Sequence, residues 1–158
     1  MARKLSKENS FDRKKDQSMS VFSAECRALL LEQTRTGKIA TVRADGRPHV
    51  VPIWFDLDGD TLVFTTGDTA VKANNIRRDN RVSICVDDEK PPFAFALIDG
   101  VATFSDDLQD LIYWATRLGG RYMGQDQAEA YGKRNGVAGE LVVRITPTKV
   151  IFQANVAS

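Results

Sequence analysis

Two turn signals, Asp45-Gly46 and Asp58-Gly59-Asp60, cut residues 38–66 into three short runs rich in apolar residues. An Asp-Gly pair readily adopts the positive backbone torsions of a tight hairpin turn, so the flanking runs fold back on one another as antiparallel strands. The runs are Lys38 to Ala44, Pro48 to Phe55 and Thr61 to Thr66. A chain that opens its sheet this way is built from local hairpins, not from strands that each wait for a crossover helix.

The rest of the chain extends the pattern. A helix is expected from about Thr69 to Arg78, followed at once by a strand from Arg81 to Val86. Asp87-Asp-Glu-Lys-Pro-Pro92 reads as a charged loop with a rigid exit, and Phe93 to Phe104 as a long strand bent near Asp99-Gly100. Ser105-Asp106-Asp107 supplies a helix start with acids in its first turn, and that helix is expected to end near Gly119-Gly120. Asp126 to Arg134 forms a shorter helical piece. Glu140 to Ile145 and Lys149 to Ala154 read as two closing strands broken at Pro147. Ahead of the sheet, Ser20 is placed to cap a helix to about Gln33, with Phe22, Cys26, Leu29 and Leu30 on its apolar face. Residues 1–18 are polar, mixed in charge and without periodicity, and are expected to form a flexible arm, with docking on a partner subunit as the other reading. Residues 19–158 then make one domain. Six or seven strands with a few helices predict a mainly β, α+β fold: a small antiparallel barrel with helices packed outside.

Composition removes several classes of function. The net charge of +1 over 158 residues gives no global attraction to nucleic acid. No apolar run approaches the roughly 20 residues of a membrane span, and the N-terminal residues lack the apolar stretch of a signal peptide. Cys26 and Cys85 are the only cysteines and lack C-x-x-C spacing, so both are expected as reduced, core or near-core residues of a cytoplasmic protein. His49 is the only histidine and has no companion ligands, so no metal site is expected. It is read either as a cross-strand polar contact or as a general acid beside a bound ring.

Two segments could carry chemistry. The strand end Thr65-Thr66, the following helix start and Lys72 inside it form a seat suited to a phosphate. Hydroxyls and free amides would bond the oxygens, and the lysine adds a point charge. The alternative is that Lys72 is an ordinary solvated lysine. Arg77 and Arg78 point in different directions on the helix. One could reach the phosphate region while the other pairs with Asp79 or solvent. The strand His49-Val-Val-Pro-Ile-Trp-Phe55 carries a proline that cannot donate to a ladder, so Pro52 belongs at an edge or a bulge. There, Val51, Pro52, Ile53 and Trp54 could present apolar walls and free backbone groups to a flat heteroaromatic ring. The plainer reading is a core strand with Pro52 at an uncovered edge. Gly119-Gly-Arg-Tyr-Met-Gly124 reads as a turn that lets helices pack, with Tyr122 available to an interface.

An ordered set of motifs carries a resemblance. It comprises Ala40-Thr-Val-Arg-Ala-Asp-Gly-Arg-Pro-His-Val-Val-Pro-Ile-Trp-Phe55, Phe64-Thr-Thr-Gly67, Lys72 with Asn75-Ile-Arg-Arg-Asp79, Pro91-Pro-Phe93, Gly100-Val-Ala102 and Arg121-Tyr-Met-Gly124. From about Phe22 to Ala154 the chain resembles the pyridoxamine 5'-phosphate oxidase-like split β-barrel oxidoreductases, and more closely their branch that uses coenzyme F420. The resemblance implies a homodimer of six-stranded split barrels of the FMN-binding type, with two cofactor sites at the subunit interface. It implies phosphate contact by Lys72 beside Thr65 and Thr66, ring contact by Val51, Pro52, Ile53 and Trp54, and approach of Pro92 and Phe93 from the other subunit. Some relatives carry an arginine two residues before the lysine, where this chain has Ala70, so FMN stands as the alternative to F420. The implied activity is hydride transfer from a reduced deazaflavin to an electron-poor small molecule. The alternatives are an FMN-dependent oxidoreductase and a non-enzymatic flavin- or haem-binding module.

Overall fold

A computed structural model describes residues 19–158; the arm expected over residues 1–18 lies outside the described residues. Helix α1 spans Ala24–Leu31, and the strands β1 Gly37–Val42, β2 Pro48–Ile53, β3 Asp56–Asp58 and β4 Thr61–Gly67 follow. Helix α2, Val71–Arg78, leads to β5, Arg81–Asp88, and β6, Ala94–Ser105. Helix α3, Leu108–Met123, a single 3-10 turn at Gln125–Gln127 and helix α4, Ala128–Asn135, precede β7, Glu140–Gln153. The strands form one antiparallel sheet in the order β2-β1-β5-β6-β7-β4-β3.

That order explains how the barrel splits. The two edge strands, β2 and β3, are joined by only Trp54 and Phe55. The sheet must therefore curl until its edges approach at this corner, yet no ladder closes them. The strand expected from Pro48 to Phe55 thus ends at Ile53, the Asp58-Gly59-Asp60 turn joins β3 to β4, and the sheet of the described residues has seven strands where the resemblance implied six. Tyr122 on α3 fills the seam. Its hydroxyl accepts from the Phe55 N–H at 3.1 Å and donates to the Arg35 carbonyl at 2.8 Å, with the Phe55 carbonyl at 3.2 Å. One phenol thus satisfies backbone groups of the corner at Phe55 and of Arg35, just ahead of β1.

Side-chain alternation divides the interior in two. Leu62 and Phe64 of β4 face the barrel core with Ile39, Phe55, Ile84, Ile98, Val143 and Ile145. Val63, one residue out of phase, faces the other way and packs with Val142, Leu111 and Trp114 under α3. Phe22, Cys26, Leu29 and Leu30 of α1 belong to the barrel core. The α1 cap is Ser23, whose hydroxyl accepts from the Cys26 N–H. Ser20, the expected cap, instead donates to Asp60 at 2.6 Å.

Two further expectations need correction. β7 runs unbroken through Pro147, because the neighbouring strand makes room. Asp99 pairs with Lys149 and Gly100 with Pro147, so Thr148 is an extra residue in a bulge. At Gly100 a Cβ would lie 2.5 Å from Ile145 Cγ2 and 2.8 Å from the Thr146 carbonyl oxygen, so only glycine fits. Helix α3 does not stop at Gly119-Gly120 but continues to Met123. Those glycines serve packing: a side chain at Gly119 would collide with Tyr131 of α4.

Candidate functional site

On the α3 side of β4, a cavity of about 310 Å³ collects residues from six elements. Pro52, Ile53 and Trp54 come from the barrel corner, Thr65 from β4, Lys72 from α2, and Glu140 from β7. Ala115, Leu118 and Gly119 of α3 and Asn135 of α4 complete the wall. Local chain geometry accounts for the selection. Thr65 shares the strand face of Val63, which looks toward α3, whereas Thr66 is buried on the opposite face. Glu140 shares the face of Val142 and stands opposite Gly67 in the ladder.

Helix α2 begins at Val71, two residues later than expected, and its N-cap is Ala70, whose side chain cannot cap. The first amides of the helix therefore have no side-chain acceptor. Lys72 is the second residue of this uncapped turn. It is half-buried and joins no salt bridge among the described residues. Burial pushes its ammonium group below the usual lysine range, and the Glu140 carboxylate partly opposes this. Burial pushes the Glu140 carboxyl above the usual range, Asp68 adds to the rise, and Lys72 draws it back. The cavity thus holds one desolvated cation facing one desolvated acid.

The helix is held to the barrel by polar contacts. The buried Asn75 amide donates to the Thr41 hydroxyl at 3.0 Å and its carbonyl oxygen accepts from Arg78 at 3.2 Å. Arg78 also reaches the Val42 carbonyl at 2.6 Å. Arg77 donates to the Asp68 carbonyl at 2.7 Å, propping the loop that feeds α2. Neither arginine lines the cavity, and Asp79 pairs with Arg81 at 2.8 Å.

The expected ring contacts separate into two groups. Pro52, Ile53 and Trp54 line the cavity, with Pro52 on an edge strand as its missing N–H requires. The Trp54 ring stacks on Tyr122, centroids 5.1 Å apart and planes 3° from parallel, and tilts against Tyr131 at 5.8 Å. Val51 instead packs against the barrel core. Pro92 and Phe93 lie apart from the cavity within one protomer. Phe93 adopts φ 62° after a cis Pro91–Pro92 bond, and the C-terminus ties this loop down through Val156 N–H to the Phe93 carbonyl at 3.1 Å and Ala157 N–H to the Pro92 carbonyl at 3.0 Å. His49 stands opposite Thr41 across the ladder, but the Asn75 amide already bonds that hydroxyl. The buried His49 Nδ1 has no hydrogen-bond partner among the described residues.

The sequence reading did not single out Glu140, Asn135 or the α3 wall. Only the i, i+3, i+4 spacing of Ala115, Leu118 and Gly119 hinted at a shared helix face. It also gave no sign of a larger, more open hollow of about 880 Å³ between β3 and α3, where Asp56, Tyr113, Arg117 and Arg121 meet. There the charges answer one another: Arg117 lies 2.7 Å and Arg121 3.7 Å from Asp56. In the smaller cavity, by contrast, Lys72 makes no salt bridge among the described residues.

Known proteins agree with this architecture. A solved structure of a conserved hypothetical protein from Mycobacterium tuberculosis matches with a TM-score of 0.74 at 24% identity, over 89% of this chain and 90% of that one. An F420 reductase matches with a TM-score of 0.63 at 27% identity, over 78% and 94%. The haem storage protein HutZ from Vibrio cholerae matches with a TM-score of 0.65 at 20% identity, over 84% and 94%. No curated protein is significantly similar to the chain. The family model for pyridoxamine 5'-phosphate oxidase matches residues 22–154, nearly the whole described domain. The chain therefore belongs to the pyridoxamine 5'-phosphate oxidase family, and its sheet is the split-barrel fold in a seven-stranded, unclosed form.

Proposed function

We propose that this protein is an oxidoreductase that binds reduced coenzyme F420 in the Lys72 cavity and serves hydride transfer to an electron-poor small molecule. The observation that carries the reading is Lys72 itself: half-buried, without a salt bridge, and beside an uncapped helix start and the Thr65 hydroxyl. These groups suit a phosphate, through amide and hydroxyl hydrogen bonds and one positive charge. The 27% identity to an F420 reductase supports F420 over FMN, which is the alternative.

A cavity of about 310 Å³ lies at the low end of the roughly 300–1,000 Å³ usual for ligand pockets. It suits a phosphate and its adjoining chain better than a whole tricyclic coenzyme. That shortfall supports a homodimer in which Pro92 and Phe93 of the partner subunit help to enclose the ring. Pro52, Ile53 and Trp54 would wall the ring on this side. When bound, the coenzyme supplies the hydride. The chain's own residues hold the phosphate, orient the ring and exclude water, and the proton comes from solvent or from the substrate's surroundings. Suitable acceptors are a conjugated double bond, an enone or a tetrapyrrole. The setting we infer is the cytoplasm, in keeping with two free cysteines and no membrane-spanning helix among the described residues.

The test is a titration with F420, FMN and haemin side by side, read by fluorescence quenching and absorbance, followed by turnover with reduced F420. Saturable F420 binding with acceptor reduction is the expected result. Haemin binding with neither yellow coenzyme bound would replace the oxidoreductase reading with a haem-binding module.

A further inference from the structure

The Lys72 cavity carries an acid as well as a cation. Glu140 and Lys72 line the same cavity from β7 and α2. Glu140 sits across the ladder from Gly67. Because Gly67 has no side chain, the carboxylate lies over open backbone: a Cβ built there would be 3.8 Å from Glu140 Oε1. Asp68, the next residue, adds a second negative charge from the β4–α2 loop. The remaining walls add no charge. Pro52, Ile53 and Trp54 form one side and Ala115, Leu118 and Gly119 another, with the neutral Asn135 from α4.

We propose that Glu140 is a specificity-determining residue that makes this seat accept a singly charged phosphodiester and reject a doubly charged phosphomonoester. This rests on the coenzyme reading given above and deepens it. A phosphomonoester carries about −1.5 to −2 charges at pH 7, its second proton leaving near pH 6. The phosphate of FMN is such a monoester. That of F420 is a diester and keeps one charge at any pH above its first ionisation. With Lys72 cationic, Glu140 anionic and Asp68 adding a further negative charge nearby, the seat has no positive charge to spare. A monoanion is then accommodated by Lys72, the Thr65 hydroxyl and the open amides of α2. A second anionic charge meets Glu140 without a further cation to offset it. At a separation of about 6 Å and an effective dielectric of about 40, one extra like charge weakens binding about tenfold.

The experiment uses a matched pair of probes, FMN and its phosphate methyl ester, which share a ring and differ by one charge, with F420 as a third ligand. Affinities are measured by isothermal titration calorimetry on the full chain at pH 8 and pH 5.5. For the wild-type protein, the methyl ester should bind about tenfold more tightly than FMN at pH 8. The gap should narrow to less than about threefold at pH 5.5, where the monoester regains its proton. In Glu140→Gln the gap at pH 8 should shrink to less than about threefold, chiefly through tighter FMN binding. The wild-type pH comparison tests the idea even where that variant folds poorly. FMN binding as tightly as its ester at pH 8, or a gap that Glu140→Gln leaves unchanged, overturns the role of Glu140 while the coenzyme reading stands. Failure of all three ligands to bind removes the coenzyme reading and this inference together.

Discussion

Tyr122→Phe tests the most unusual joint in the molecule. The substitution removes one oxygen and leaves the ring, so stacking on Trp54 at 5.1 Å is kept. The oxygen lost is the acceptor for the Phe55 N–H at 3.1 Å and the donor to the Arg35 carbonyl at 2.8 Å. Phe55 is fully buried, so its amide cannot turn to water. A stranded buried donor costs about 1–3 kcal/mol, and about 2 kcal/mol is the central expectation for this change. For a chain of this size each kcal/mol lowers Tm by about 2–4 °C, so the melt should move down by about 4–8 °C. Circular dichroism melts give Tm, and urea titrations should show the same loss of stability at unchanged m-value. Tyr122→Leu should lose a further 0.5–1.5 kcal/mol or so with the aromatic pair. A Tyr122→Phe protein that melts within about 1 °C of wild type would show that the Phe55 corner is tied to Arg35 by something other than this hydroxyl.

Other perturbations probe the site and the frame. Lys72→Ala should weaken coenzyme binding by roughly 10- to 150-fold, the equivalent of about 1.5–3 kcal/mol for a charge-assisted contact, with an unchanged circular dichroism spectrum; unaltered affinity would mark Lys72 as a bystander. Gly132→Ala should destabilise by about 1–3 kcal/mol in a thermal melt, because its methyl group would collide with Thr116 Oγ1 and push α4 off α3. Asp110 accepts two hydrogen bonds of 2.7 Å from Arg144, and these hold its carboxyl below the ordinary 3.8. Its folded pKa is depressed, so its stabilisation is complete above the unfolded value and fades as pH falls through the folded one. Asp110→Asn should therefore flatten the acid limb of a stability–pH profile below about pH 4; an unchanged limb would place the acid sensitivity elsewhere. Sedimentation of the coenzyme-loaded protein should report a dimer, and a monomer that retains the coenzyme tightly would contradict a shared site.

Much of this molecule was readable along the chain because local chemistry sets it. Asp45-Gly46 and Asp58-Gly59 end strands where hairpins need positive torsions, and both glycines adopt them, at φ 84° and 59°. Alternation separates Phe64 from Thr65 before any fold is known. A lysine soon after a strand end that carries hydroxyls marks a candidate anion seat by type and spacing alone. What the chain could not disclose depends on partners distant in sequence. Pro147 does not break β7, because a bulge against Gly100, nearly fifty positions away, makes room for it. Trp54 and Phe55 open the barrel where a continuous strand was expected, and Tyr122 on a later helix satisfies the freed backbone. Glu140 faces Lys72 only because β7 lies beside β4. Period and turn chemistry belong to neighbouring residues, so sequence alone determined the strands, the turns and the cation. Burial and the pairing of charges belong to the assembled sheet, so only tertiary structure decided that the cation would be half-desolvated and face an acid.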